Sequence, residues 1–160
     1  MDVRDPLPSD VEPLAQLWLA GWRDAHLAIV PPELEKHRDI NNLRQRMTDG
    51  LPNGRVIGPP GDPLGFYMLK DDELYQFYVS ARARGTGVAP ALMADAEARL
   101  AARGLDTAWL ACAVGNNRAA RFYEKSGWTR ARTETSHLQT PAGQIPVDIW
   151  RYEKRVSAQK

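Results

Sequence analysis

The turn Arg84-Gly85-Thr86-Gly87 constrains the fold of this chain more than any other stretch. Before it runs Glu73 to Val79, rich in aromatic and branched residues and reading as a strand. After it, Val88, Leu92, Ala96 and Leu100 recur at helical spacing, within a helix from about Gly87 to Arg103. Pro90 falls in the first helical turn, where a missing amide loses no hydrogen bond, and Gly104 supplies the stop. Asp106 to Val114 reads as the next strand. A helix between two strands acts as a crossover, so the flanking strands are expected to be parallel neighbours.

The surrounding segments read as further elements of one sheet. A short edge strand is expected before Pro6, then a helix capped by Ser9, with Glu12 completing a capping box. Its apolar face carries Leu14, Leu17, Trp18, Gly21, Trp22 and Ala25, with the tryptophans covering the sheet. A second, more polar helix is expected from about Pro32 to Met47, ended by Gly50 and Pro52. Arg55–Ile57, Leu64–Leu69 and Glu73–Val79 read as an antiparallel meander, its first link the turn-rich Gly58–Pro63. Near the C-terminus a short helix from about Arg118 to Ser126 stops at Gly127. Strands near Trp128–His137 and Ile145–Glu153 then form a hairpin across Thr140–Gly143. The expected fold is α/β (α+β): a mixed, mostly antiparallel sheet with a central β-α-β crossover and helices on both faces.

Composition sets outer bounds. The length, 160 residues, suits one domain spanning 1–160, and 43% hydrophobic with 26% charged residues is ordinary for a globular protein. A net charge of +1 gives no support to nucleic acid or anionic lipid as partner. The one cysteine, Cys112, lies in an apolar run and reads as a small buried strand residue; no internal disulfide or cysteine cluster is possible. Met1–Pro6 does not read as a signal peptide and no apolar run approaches transmembrane length, so a cytoplasmic protein without a membrane partner is expected. No His/Cys/Asp/Glu arrangement has metal-ligand spacing, and no metal is expected.

Glycines in the central turn allow positive φ and let backbone amides approach a ligand at a helix N-terminus, where the dipole favours an anion. The dipole contributes roughly 0.3–1 kcal/mol, and amide hydrogen bonds to a charged acceptor about 1.5–3 kcal/mol each. Taken alone, the turn is equally a tight strand-to-helix connection. A dinucleotide fingerprint is excluded because Pro90 stands where a third glycine is required, and the phosphate-loop pattern G-x-x-x-x-G-K-[ST] is absent.

A second segment, Asn116-Asn117-Arg118-Ala119-Ala120-Arg121-Phe122-Tyr123-Glu124-Lys125-Ser126-Gly127-Trp128, narrows the choice. With the first it closely resembles the GNAT superfamily of N-acetyltransferases. Arg84, Gly87 and Ala89 match that family's [QR]-x-x-G-x-[GA] signature. Asn116, Ala119, Phe122, Tyr123, Gly127 and Trp128 match its N-x-x-A-x-x-F-Y-x-x-x-G-[FW] signature. The order of elements fits over most of the chain and least between His26 and Met47, where members differ with their substrates.

The resemblance implies that acetyl-CoA lies between two splayed strands, with its pyrophosphate on the amides of Arg84, Gly85, Thr86, Gly87, Val88 and Ala89. The main chain near Val79 would pair with the pantetheine arm, and Asn116 and Ala119 would line it. Tyr123 corresponds to the usual acid toward the departing thiolate, and also contacts the cofactor. Glu73 corresponds to a glutamate that some members use to take the amine proton. Phe122 and Trp128 read as core; His26 reads as a surface residue or as part of the acceptor entrance. The expected activity is acetyl transfer from acetyl-CoA, the acyl-donor cosubstrate, to a small-molecule or peptide amine by direct attack in a ternary complex. A homodimer is compatible with the family. The rival readings are a non-catalytic acyl-CoA sensor or interaction module on the same fold and, with the same chemistry, transfer to a hydroxyl.

Overall fold

The computed structural model describes residues 2–157. Its centre is the crossover expected from the turn: β4 (Glu73–Val79) leads through α4 (Val88–Ala102) to β5 (Thr107–Ala113), and the two strands pair in parallel. Around them lie β1 (Val3–Arg4), β2 (Gly54–Ile57), β3 (Gly65–Lys70), β6 (Thr129–Thr140) and β7 (Gly143–Arg155). The sheet order is β1-β2-β3-β4-β5-β7-β6, and every other neighbouring pair is antiparallel. The meander and the terminal hairpin are both present. The hairpin strands run a few residues further than expected because each residue gains a cross-strand partner from Thr140↔Gly143 back to Thr129↔Glu153, apart from a bulge between Arg130 and Arg132.

Helices cover both faces. On one face α1 (Val11–His26), α2 (Pro32–Glu35) and α3 (Ile40–Gly50) bury Leu14, Trp18, Trp22, Leu34, Leu43 and Met47 against Phe66 and Met68 of β3. On the other, α4 and α5 (Asn117–Lys125) bury Leu92, Ala96, Leu100 and Ala120 against Tyr67, Leu69, Leu110 and Tyr152. Strand β3 is apolar at successive positions because it is covered on both sides. Gly21 lets α1 approach β4 closely: a Cβ there would stand 2.6 Å from Tyr78 Cδ1.

Two expectations about the first half are corrected. Ser9 is not the cap of α1; it lies in a 3-10 turn, Pro8–Asp10. The organising residue is Asp10, fully buried, which accepts from Leu7 N at 2.7 Å and from both ends of the Arg4 guanidinium at 2.8 and 3.0 Å. Removing one partner of such a buried pair typically costs about 3–5 kcal/mol. Glu12, the expected partner of Ser9, instead meets Arg44 of α3 at 2.6 Å on the surface.

The polar helix expected over Pro32–Met47 is two helices, broken at residues 36–39. Asp39 takes extended geometry and accepts from Asn42 N at 2.8 Å, an N-cap worth about 1 kcal/mol. The break buries Arg38, at 8% exposure, beneath the same face as Leu34. Nothing in Lys36-His37-Arg38 resembles a helix breaker, so the cap and the burial together decide it.

Candidate functional site

Strands β4 and β5 pair only at their start, where Glu73 faces Trp109, with Trp109 N donating to Asp72 O at 3.1 Å. Beyond that point they diverge. The edges of β4 toward Val79 and of β5 toward Ala113 therefore face each other across open space, each paired only on its outer side. A bulge in β4 accompanies the divergence: Gln76 pairs with Met68 and Leu74 with Leu69, which leaves Tyr75 as the extra residue. Bulges bend a strand and release one residue from the ladder.

The open end of the divergence meets the glycine turn. Gly85 and Gly87 take φ of 75 and 85, and a Cβ on either would meet nothing within 4 Å, so their need is conformational rather than steric. The amide of Arg84 donates to Ala81 O at 3.2 Å and that of Thr86 to Ala83 O at 3.3 Å, so both are engaged within the turn. Thr86 Oγ1 also donates to Ala83 O. The amides of Gly85, Gly87, Val88 and Ala89 have no acceptor among the described residues. They form a cluster of donors at the N-terminus of a 15-residue helix, which is the arrangement that receives an anion.

The second motif flanks the same opening. Asn116 caps α5, accepting from Ala119 N at 3.4 Å. Ala119 is half-buried, and Trp128 is in the core at 2% exposure as expected. Phe122 is half-buried and stacks on Phe77 of β4, ring centroids 5.5 Å apart. Tyr123 lies against Phe122 at 5.8 Å and Tyr152 at 6.0 Å. Burial, with Cys112, Tyr78 and Tyr152 as neighbours, pushes its phenol well above the ordinary range, so the group carries its proton at neutral pH. Cys112 is buried and pushed up to about 12, the state of an inert core thiol.

Glu73 opens β4 at the closed end of the divergence. Burial raises its carboxyl to about 7; Asp72 and Asp71 add to the rise, while Lys70 and Arg151 oppose it. It therefore exchanges its proton near neutrality instead of standing as a solvated edge charge.

Both expected regions open into one cleft of about 1850 Å³, which reaches from Gly85 and Asn116 past Tyr123 and Glu73 to α1–α3 and the strands of the terminal hairpin. Single ligand pockets span roughly 300–1,000 Å³, so this one has room for two substrates side by side. Val79 lines it. His26 also lines it, half-buried and not on the surface; burial lowers its imidazole to about 4.

Three features of the cleft carry no sequence motif. Asp24, near the end of α1, bridges Arg84 at 3.0 Å and Arg118 at 3.1 Å, tying the two motif segments to the first helix. Tyr75 is displaced by its bulge. Arg38 and Arg46 line the α1–α3 side, Arg46 lying 4.6 Å over the Trp18 ring and donating to Tyr75 Oη at 3.0 Å. Among the described residues no group of three or more His, Cys, Asp or Glu could hold a metal ion, and no helix is long and apolar enough to cross a membrane.

The fold as a whole is shared with solved N-acetyltransferases. The GCN5-related N-acetyltransferase from Rhodopseudomonas palustris superposes with a TM-score of 0.73 at 21% identity, covering 96% of this chain and 94% of that one. The paia N-acetyltransferase from Thermoplasma acidophilum, solved in complex with coenzyme A, gives 0.67 at 16% identity, covering 96% and 98%. The Salmonella typhimurium protein yncA, solved with its cofactor acetyl-CoA, gives 0.70 at 13%, covering 100% and 96%. At these identities the likeness establishes the fold. The chain belongs to the acetyltransferase (GNAT) family, which it matches over residues 17–128. It is also 32% identical over 120 residues to an uncharacterized N-acetyltransferase of Mycobacterium tuberculosis, covering 69% of this chain and 77% of that protein.

Proposed function

We propose that the protein transfers an acetyl group from acetyl-CoA to an amine by direct attack in a ternary complex. The observation that carries this is the pair of facing strand edges, β4 and β5, which lead to four acceptor-free amides at the start of α4. A pantetheine arm adds to an open strand edge as a peptide strand would. The pyrophosphate at its end needs clustered donors, and Gly85, Gly87, Val88 and Ala89 supply them. The related structures solved with coenzyme A and acetyl-CoA support the same assignment for this cleft.

The roles follow from position. Val79 pairs its main chain with the arm, Arg84 adds its positive charge beside the amides, and Asn116 turns its free amide nitrogen toward the arm. Ala119 contributes a small side chain, because its own N–H is held by Asn116. The bulge at Tyr75 frees a backbone donor for the thioester carbonyl. Glu73 takes a proton from the incoming ammonium, directly or through water, and its pKa of about 7 leaves it half ionised at neutral pH. The neutral amine then forms the C–N bond, the C–S bond breaks with its electron pair on sulfur, and the second proton of the now cationic nitrogen passes to the departing thiolate or to water, leaving the neutral amide. Tyr123 donates a hydrogen bond to that sulfur. Thiols ordinarily ionise near 8.5, below a phenol raised by burial, so Tyr123 stabilises the thiolate mainly as a hydrogen-bond donor.

The test is release of free CoA from acetyl-CoA in the presence of amino acids, polyamines, aminoglycosides and peptides with free N-termini. Release with at least one class is expected. Tight CoA binding with no thioester cleavage across the whole panel would replace the transferase with an acyl-CoA-binding module.

A further inference from the structure

Arg38 is a buried cation without a counterion. It is 8% exposed, its recorded hydrogen bond is a 3.3 Å contact to the neighbouring His37 carbonyl, and no carboxylate lies within ion-pair distance among the described residues. Its neighbour Arg46 is likewise outside every ion pair of the described residues; it is held by the Trp18 face and the Tyr75 hydroxyl. Burial lowers the Arg38 guanidinium to about 10, Arg46 lowers it further by repulsion, and Tyr75 and Tyr78 offset this slightly. Arg38 therefore keeps its charge at neutral pH. Most other buried or half-buried arginines have an acid: Arg4 has Asp10, Arg44 has Glu12, Arg55 has Asp5 and Asp95, and Arg151 has Glu153; half-buried Arg99, on α4 across the sheet, is the other exception among the described residues. Apart from Glu73, the acids that line the cleft are engaged elsewhere: Asp24 by Arg84 and Arg118, Glu134 by Arg132, Glu97 by Lys154. The charges nearest Glu73 are Lys70 and Arg151, not this pair.

A buried guanidinium beside a second, half-buried one is unfavourable unless an anion joins them. Guanidinium forks suit carboxylate and phosphate oxygens through paired N–H donors. The pair also lies on the α1–α3 side of the cleft, away from the glycine turn that receives the donor's pyrophosphate. We infer that the acceptor is a small amine that also carries an oxyanion, a carboxylate or a phosphate, bound by Arg38 and Arg46. Tyr75 holds Arg46 in place from the bulge of β4, the strand that also carries Glu73. The inference rests on the transferase reading above and names the substrate class for that site.

The experiment compares kcat/KM for matched acceptors on the intact protein. Linear ω-amino acids and aminoalkyl phosphates are set against amino alcohols of equal chain length. An advantage of roughly 100-fold is expected for one anionic series, about 2.7 kcal/mol of transition-state binding. The series that shows it distinguishes carboxylate from phosphate. Arg38→Gln and Arg46→Gln should each collapse the ratio toward unity, with folding checked by thermal unfolding. Independently of any variant, glutarate or inorganic phosphate should inhibit the wild type competitively against the amine. Equal kcat/KM for charged and neutral members in the wild type overturns the inference while leaving the transferase intact. Absence of CoA release with every amine removes the reading on which it rests.

Discussion

The two ends of the cleft are built on different principles. The end at Gly85, Gly87 and Asn116 presents backbone groups: amides with no acceptor among the described residues, open strand edges and a helix terminus. The end at α1–α3 is lined by side chains: Trp18, Trp22, His26, Arg38, Arg46 and Tyr75. Backbone groups are the same whatever residue carries them, so that end can keep one ligand while the sequence around it changes. Side chains are individual, so the other end can be specific to this chain.

The largest test of this contrast is Glu73→Gln, at the boundary between the two ends. Loss of a positioned base should lower kcat/KM at pH 7 by about 10³-fold. The wild-type profile should rise through a pKa near 7, and that rise should disappear in the variant. The same group makes a signed stability prediction. Its folded pKa of about 7 exceeds the ordinary 4.5, so the folded state holds more protons between those values. That contribution is complete below pH 4.5 and lost as pH rises through 7; denaturant titrations of Glu73→Gln should lack it. His26, lowered to about 4 from 6.5, acts oppositely, removing stability as pH falls through that window.

Next in size is Tyr123→Phe, which keeps the ring packing against Phe122 and Tyr152 but removes the hydroxyl. Loss of one donor to developing charge should lower kcat about 10²-fold. If the hydroxyl serves the leaving thiolate as proposed, the loss should be similar for all acceptors. Wild-type rates in Tyr123→Phe with a good acceptor would remove the assignment.

The smallest effect belongs to the backbone end. Gly87→Ala forces an L-residue to a φ of 85, at about 1–2 kcal/mol. Weaker CoA binding by roughly 10-fold in calorimetry is expected, with the order of preferred amines unchanged. A changed amine preference would show that the two ends are not independent.

How much of this could be read beforehand follows the same division. The crossover, α4 with its Pro90 start and Gly104 stop, and the α5 segment were legible because each depends on nearby residues: apolar spacing, a proline in the first turn, glycines at the ends. The glycine turn was legible as a strand-to-helix connection with amides at a helix start, but the sequence could not say that Arg84 and Thr86 would spend their amides inside it. The cap at Ser9 was misread because Ser-x-x-Glu spacing is local, whereas Asp10 is held by Arg4 across a turn. The break at residues 36–39 carried one local signal, the Asp39 cap three residues before Asn42, but its position also depends on the burial of Arg38; the bulge at Tyr75 had no local signal.

The sequence by itself determined the class of fold, the family and the turn and helix start that flank one end of the cleft, because backbone turns and helix termini are encoded by short-range geometry. The tertiary structure decided that Glu73 is buried enough to titrate near neutrality, that His26 is half-buried with its imidazole lowered, and that Arg38 is buried near Arg46 outside every ion pair of the described residues. Burial and the presence or absence of a counterion depend on residues distant in the chain. No spacing along the sequence records them.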